Sequence, residues 1–223
     1  MHIEPGLVDG AKIVLSYGTA AAACAVGVAY LRQAAQQQGV ASVALRSMIA
    51  AVGTFFFFEV LPHVAVGVSE VHLILGSTLF LLLGVGPAAL GLALGLLVQG
   101  LFFAPSDLPQ YAMNLTTLLV PLFAMMGLSK RIIAPDTAYV DLAYEQVLKL
   151  SLCYQGGIVA WVAFWAFYGQ GFAVASAVGT FGAAYMTVVL LEPLVDLAIL
   201  AVAKALRGKT PNGIVSQRLY SAH

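Results

Sequence analysis

Charge is scarce in this chain. Asp, Glu, Lys and Arg make up 9% of its 223 residues, where soluble domains carry roughly 25%. That scarcity excludes an ordinary water-soluble fold. Ten basic and ten acidic side chains cancel, so only the distribution of charge carries information. The two cysteines, Cys24 and Cys153, sit in separate apolar stretches. They form neither a disulfide framework nor a CxxC metal clip, and small core filler is the reading that fits. No GxxxxGK[ST] loop is present, so the chain has no phosphate cradle for hydrolysing ATP. HExxH and GxSxG are missing as well. Residues 1–11 lack the basic and apolar regions of an export signal. No cleavage is expected, and bulky His2 should leave Met1 in place.

Apolar length is what the chain has instead. Hydrophobic residues make up 61% and the mean hydropathy is +0.94. This predicts an all-α polytopic membrane helix bundle of about seven spans, each needing about 20 residues. The first four are expected at about Ile13–Leu31, Val40–Leu61, His72–Val85 and Pro87–Ala104. The third is too short for a lipid-facing helix and reads as an interrupted or re-entrant element lining a cavity. Residues 62–71 read as a loop. A fifth span is expected at about Tyr111–Leu128, then a polar connection with a surface helix over Lys130–Lys149. The sixth and seventh follow at about Val147–Tyr168 and Ala184–Leu206, the last bent at Pro193. Residues 1–206 form a single bundle whose segment 1–12 captures the ligand, and 207–223 are a cytoplasmic tail.

The basic residues give the orientation. Arg32, Arg46, Lys130, Arg131, Lys149, Lys204, Arg207, Lys209 and Arg218 all fall on the side of the tail, with only Lys12 opposite. By the positive-inside rule the tail is cytoplasmic and Met1 is outside, in a cell (inner) membrane. His2, His63 and His72 then share the outer side, with His223 alone inside.

Met1-His2 offers three nitrogens in a row: the terminal amine, the His2 amide once deprotonated, and the imidazole Nδ1. They close fused five- and six-membered chelate rings in one plane. Such a set suits Ni(II), Cu(II) or low-spin Co(II), with His72 filling the fourth corner. Affinity should fall in acid, because the amine must lose its proton. Around this set, Glu70 reads as an acceptor for His72 or as a plain loop charge. Ser69 and His63 share its loop. Gln99 and Asn114 either join helices or brace the site's loops. Glu192 and Asp196 in the bent last helix face the bundle as a functional or structural pair. Ala21, Ala25 and Ala29 form a small-residue stripe, as do Gly91 and Gly95. Internal packing is the default for such stripes, and docking of a partner subunit is the alternative for the alanines.

These residues resemble the CbiM/NikM type of substrate-capture (S) component of energy-coupling factor (ECF) transporters for cobalt and nickel. Met1-His2-Ile3 with Gly6-Leu7 looks like that family's start. Gly67-Val68-Ser69-Glu70-Val71-His72-Leu73 looks like its Gly-Thr-Ser-Gly-His-Leu loop, with Glu70-Val71 where the family has a single Gly. Val98-Gln99-Gly100-Leu101-Phe102-Phe103-Ala104 resembles a Gln-containing helix end, and Asn114 falls on an Ala-Asn pair. The resemblance implies Met1, His2 and His72 as metal ligands and Co(II) or Ni(II) as the bound substrate. It also implies partners: a transmembrane coupling (T) subunit, a cytoplasmic ATPase pair and often a small accessory membrane subunit. No nucleic acid and no nucleotide site in this chain are expected. A stand-alone cobalt/nickel permease is the first rival, weakened because the spans hold no His-x4-Asp ligand path. An intramembrane hydrolase built on Ser69 and His72 is the second, and adjacent loop residues seldom assemble such a pair.

Overall fold

The computed structural model describes residues 3–221 of the chain. Met1 and His2, two of the three expected metal ligands, lie outside the described residues, as does His223. Helix α1 spans Val14–Gln38 and α2 spans Val40–Phe55. Gly39, at φ +82°, makes the corner between them, a conformation that suits a residue without a Cβ. One π-helical turn, Phe56–Val60, extends α2. Leu61 then turns extended, as a residue before proline tends to. A two-stranded antiparallel hairpin follows, β1 (Val64–Val66) paired to β2 (Ser69–Val71). The remaining helices are α3 (Gly76–Leu83), α4 (Val85–Phe102), α5 (Tyr111–Ile132), α6 (Tyr144–Gln170), α7 (Ala175–Ala205) and the single turn α8 (Gln217–Tyr220).

The result is an all-α membrane bundle with one small hairpin. Five helical stretches are long and apolar enough to cross a membrane, and one of them, Tyr144–Ala205, contains both α6 and α7. The protein is therefore a multi-pass membrane protein. The third expected span is the short α3, about 12 Å long at 1.5 Å per residue, or under half of a roughly 30 Å hydrocarbon core. Nearly all its side chains are buried, so its broken backbone meets protein rather than lipid. Several boundaries differ from expectation. Helix α1 runs on through the glutamines to Gln38, and α7 starts at Ala175 and absorbs Gly179 and Gly182. The connection after α5 holds one 3-10 turn, Tyr139–Asp141, rather than a surface helix.

The two ends of the described chain lie at opposite ends of the bundle. Near the start, Ile3 bridges Ser69 of the hairpin. Near the finish, the amide of Ser216 donates to Leu82 O at 2.7 Å and Leu219 is fully buried. The expected tail thus folds back over the far end of α3. There Arg207 and Lys204 hydrogen-bond Asp141 and hold its carboxyl below the usual carboxylate range.

The Gly91/Gly95 stripe does what small residues do between membrane helices. A Cβ on Gly91 would lie 2.1 Å from Ala50 Cβ, and one on Gly95 would lie 2.6 Å from Thr54 Cβ, so α2 and α4 touch backbone to backbone. Gly91→Ala is expected to lower the melting temperature of the purified protein, overpacking costing about 1–3 kcal/mol of stability. Gly127→Ala on α5, with no atom within 4 Å of the new Cβ, should leave it unchanged or slightly raised. Equal effects at the two positions would mean that α2 and α4 are not so closely packed.

Candidate metal centre

The centre is built where the start of the chain meets the hairpin. Gly67-Val68 form its two-residue turn, with Gly67 at φ +65°. A Cβ on Gly67 would sit 2.2 Å from Ala177 O, so the hairpin tip lies hard against the first turn of α7. The segment after residue 2 then adds to β2. Ile3 pairs antiparallel with Ser69, and the Glu4 amide donates to Val68 O at 3.2 Å.

Side chains lock this segment from the other flank. The Ile3 amide donates to Asn114 Oδ1 at 2.9 Å, and Asn114 is itself 1% exposed. Ile3 is fully buried with Val8, Met113 and Trp165. Further on, Gln170 Nε2 donates to Leu7 O at 2.9 Å and Lys12 Nζ to Gly169 O at 2.7 Å. Gly169 is needed there, because a Cβ would lie 2.0 Å from Leu7 O. The hairpin, α5 and α6 therefore fix the path of residues 3–12 before any metal is considered.

His72 follows β2 and is buried. The two-residue period of a strand sends Glu70 and His72 to one face and Ser69 to the other. Glu70 Oε2 lies 2.8 Å from His72 Nε2, which fixes which ring nitrogen faces the carboxylate. His63 stacks on the His72 ring at 4.9 Å between centroids and 13° between planes, and Phe58 meets it edge-on at 5.2 Å. A cavity of about 500 Å³ opens beside the two imidazoles, between the hairpin and α7, lined largely by Val, Leu and Pro.

Most of the expected site residues gather here. Ser69 contributes backbone to the Ile3 bridge and its side chain is buried. Gln99 and Asn114 border one small void between α4 and α5, and Gln99 Oε1 is buried with no hydrogen-bond partner among the described residues. Ala21, Ala25 and Ala29 lie elsewhere, on the exposed face of α1, whose buried face is Ser16, Ala20, Ala23 and Gly27. Sequence reasoning missed Ile3 and Phe58. The signal for Phe58 is its place in the aromatic block Phe55–Phe58, five residues before His63.

The fold is that of a multi-pass membrane protein, with a broken, buried short helix, an N-terminal segment clamped at one end and an imidazole beside it. The chain belongs to the CbiM family, described as the cobalt uptake substrate-specific transmembrane region, whose model matches residues 2–210. Among solved structures, it is similar to one described as a truncated transition metal transporter. The TM-score is 0.64 at 17% identity, over 94% of this chain and 99% of that one. At that identity the likeness concerns the fold. No curated protein sequence matches.

Proposed function

We propose that this protein is the substrate-capture (S) component of an ECF-type importer in the cell inner membrane, taking Co(II) or Ni(II) from outside. The observation that carries the proposal is the double anchoring of Ile3, on Asn114 Oδ1 and on Ser69, within the same hairpin that leads into His72. Met1 and His2 would supply amine, amide and imidazole nitrogens, and His72 would close a square of four. Glu70 at Nε2 assigns the metal-facing role to Nδ1 of His72 and raises its basicity. Family membership supports a cobalt or nickel substrate, and planar nitrogen coordination supports both metals. Residues Ile3 to Lys12, held by the hairpin, α5 and the end of α6, act as the floor of the site. His63 and Phe58 hold the His72 ring upright.

Release inward would require pulling these nitrogens apart. That work is assigned to a transmembrane coupling subunit and an ATPase pair, with a small accessory membrane subunit in some systems. The exposed Ala21, Ala25 and Ala29 stripe is the surface proposed to dock the membrane partner. A stand-alone permease is disfavoured because the spans carry no histidine path.

The test is isothermal titration of Ni(II) and Co(II) into purified protein that begins at Met1. The wild type should bind about one equivalent. Glu70→Gln should weaken binding about 10- to 100-fold, the range for an outer partner of a ligating imidazole. A Ser69→Ala variant that still binds metal dismisses the hydrolase built on Ser69 and His72. If the wild type binds neither metal, or Glu70→Gln binds as tightly as the wild type, the assignment of His72 fails.

A further inference from the structure

At the opposite end of the bundle a cavity of about 450 Å³ is framed by the ends of α1 and α3, the start of α4 and the returning tail. Two guanidinium groups, Arg46 and Arg218, belong to its wall, and no Asp or Glu does. Arg46 is 1% exposed. Its Nε donates to Ser42 Oγ at 3.2 Å and its Nη1 to Leu83 O at 2.7 Å, while Nη2 is buried without a hydrogen-bond partner among the described residues. Arg218 donates from Nη2 to Ala134 O at 3.2 Å, and its guanidinium lies 5.2 Å from the Tyr139 ring centroid. Its Nε is likewise buried and unpartnered. Among the described residues, every partner of these two cations is neutral.

A buried cation compensated only by neutral groups is costly, and proteins ordinarily pair it. A second feature converges on the same space. Helix α4, 18 residues long, begins at the cavity wall with Val85 and Gly86, and its cap residue Gly84 has no side chain to satisfy the first-turn amides. A helix start of this kind presents unpaired N–H groups and a partial positive charge. Residues that carry these donors therefore line one cavity, from α2, α4 and the tail. Donors spread around a space match a tetrahedral oxyanion better than a planar carboxylate, and guanidinium suits phosphate in particular.

We propose that this cavity is a phosphate-binding site that takes either the headgroup phosphate of an anionic phospholipid or free inorganic phosphate. Bound there, the anion neutralises Arg46 and Arg218 and ties the α3–α4 corner to the returning tail. The site is independent of metal capture at the other end of the bundle.

The test uses the full chain in two settings. In detergent, inorganic phosphate is titrated while the melting temperature is followed, with chloride as the control, since a ligand of the folded state raises it. In nanodiscs, phosphatidylcholine alone is compared with phosphatidylcholine containing phosphatidylglycerol, and retained lipid is counted by native mass spectrometry. A response to inorganic phosphate identifies the free anion as the source, and a response to phosphatidylglycerol alone identifies the lipid. In either case Arg218→Gln should weaken binding at least about tenfold. Arg46→Lys, which keeps the charge and loses the fork, should weaken it less. Arg32→Gln, a basic residue at the same end but outside the cavity wall, should leave it unchanged. Arg218→Gln reports by itself if the Arg46 variant does not fold. The proposal is overturned if neither phosphate nor phosphatidylglycerol binds above its control. It is overturned equally if Arg32→Gln costs as much as Arg218→Gln, since binding would then be diffuse attraction to a basic surface.

Discussion

His2→Ala is expected to abolish high-affinity metal binding, by more than the 10- to 100-fold that loss of an outer partner costs, with the bundle still folded. The proposed chelate uses the amine and the His2 amide in a five-membered ring and the same amide with the imidazole in a six-membered one. Losing the imidazole opens the second ring and leaves a two-nitrogen fragment with His72. Stability should barely change, because Asn114, Ser69 and Gln170 clamp the N-terminal segment at Ile3 and Leu7. Titration calorimetry beside a melting curve separates the two quantities. Undiminished binding by His2→Ala would eliminate the N-terminal site.

A one-residue extension before Met1 gives a sharper second reading. It makes His2 the third residue, so amine, two amides and imidazole complete a square of four nitrogens without His72. The native protein should therefore lose metal when His72 becomes Ala, whereas the extended protein should keep Ni(II) whether or not His72 is present. If His72→Ala is harmless in the native protein as well, then His72 is not the fourth ligand.

Much of this arrangement is legible in the residues. Apolar length marks the six long helices, and the short stretch after His72 marks an interrupted span because no lipid-facing helix is so short. The hairpin falls where the sequence predicts a loop. Its two strands have three residues each, too short for a periodic signal, although Gly67-Val68 between Val66 and Ser69 fits a two-residue turn. Helix α7 begins nine residues before the position the sequence predicts, because Gly179 and Gly182 look like breaks, yet a helix packed in a bundle tolerates them. The pairing of Glu70 with His72 follows from strand alternation once the hairpin is known. The Ile3–Asn114 contact joins residues 111 positions apart, and nothing local encodes it. Arg46 is similar: its charge marks an orientation, but its burial against Leu83 O depends on where α3 ends.

Glu192→Leu is expected to be the most damaging single change in the interior. Glu192 accepts from the Leu75 amide at 3.3 Å, from Ser77 Oγ at 2.8 Å and from Gln155 Nε2. Leu75 is the one described non-glycine residue at positive φ, +54°, and it caps α3. The carboxylate of α7 thus does for α3 what a side-chain cap does for a soluble helix. Asp196 adds contacts with Ser77 Oγ at 2.6 Å and with Thr78. Removing Glu192 leaves the Leu75 amide and the Gln155 amide buried without acceptors, each costing about 1–3 kcal/mol. Ser77 keeps Asp196. With two stranded donors, one of them at the start of a helix only eight residues long, a net loss of about 3 kcal/mol is expected. It should appear as a lowered melting temperature and poor recovery from the membrane.

Glu192→Gln separates shape from charge. Its carbonyl can still accept from Leu75 and Gln155, and its amide can donate to Ser77 Oγ. The Ser77 hydroxyl has one proton and two carboxyl partners, so a neutral donor at position 192 leaves it free to donate to Asp196. Glu192→Gln should therefore fold and bind metal as the wild type does. If it is as damaging as Glu192→Leu, the negative charge at Glu192, rather than the capping of α3, is what the bundle requires.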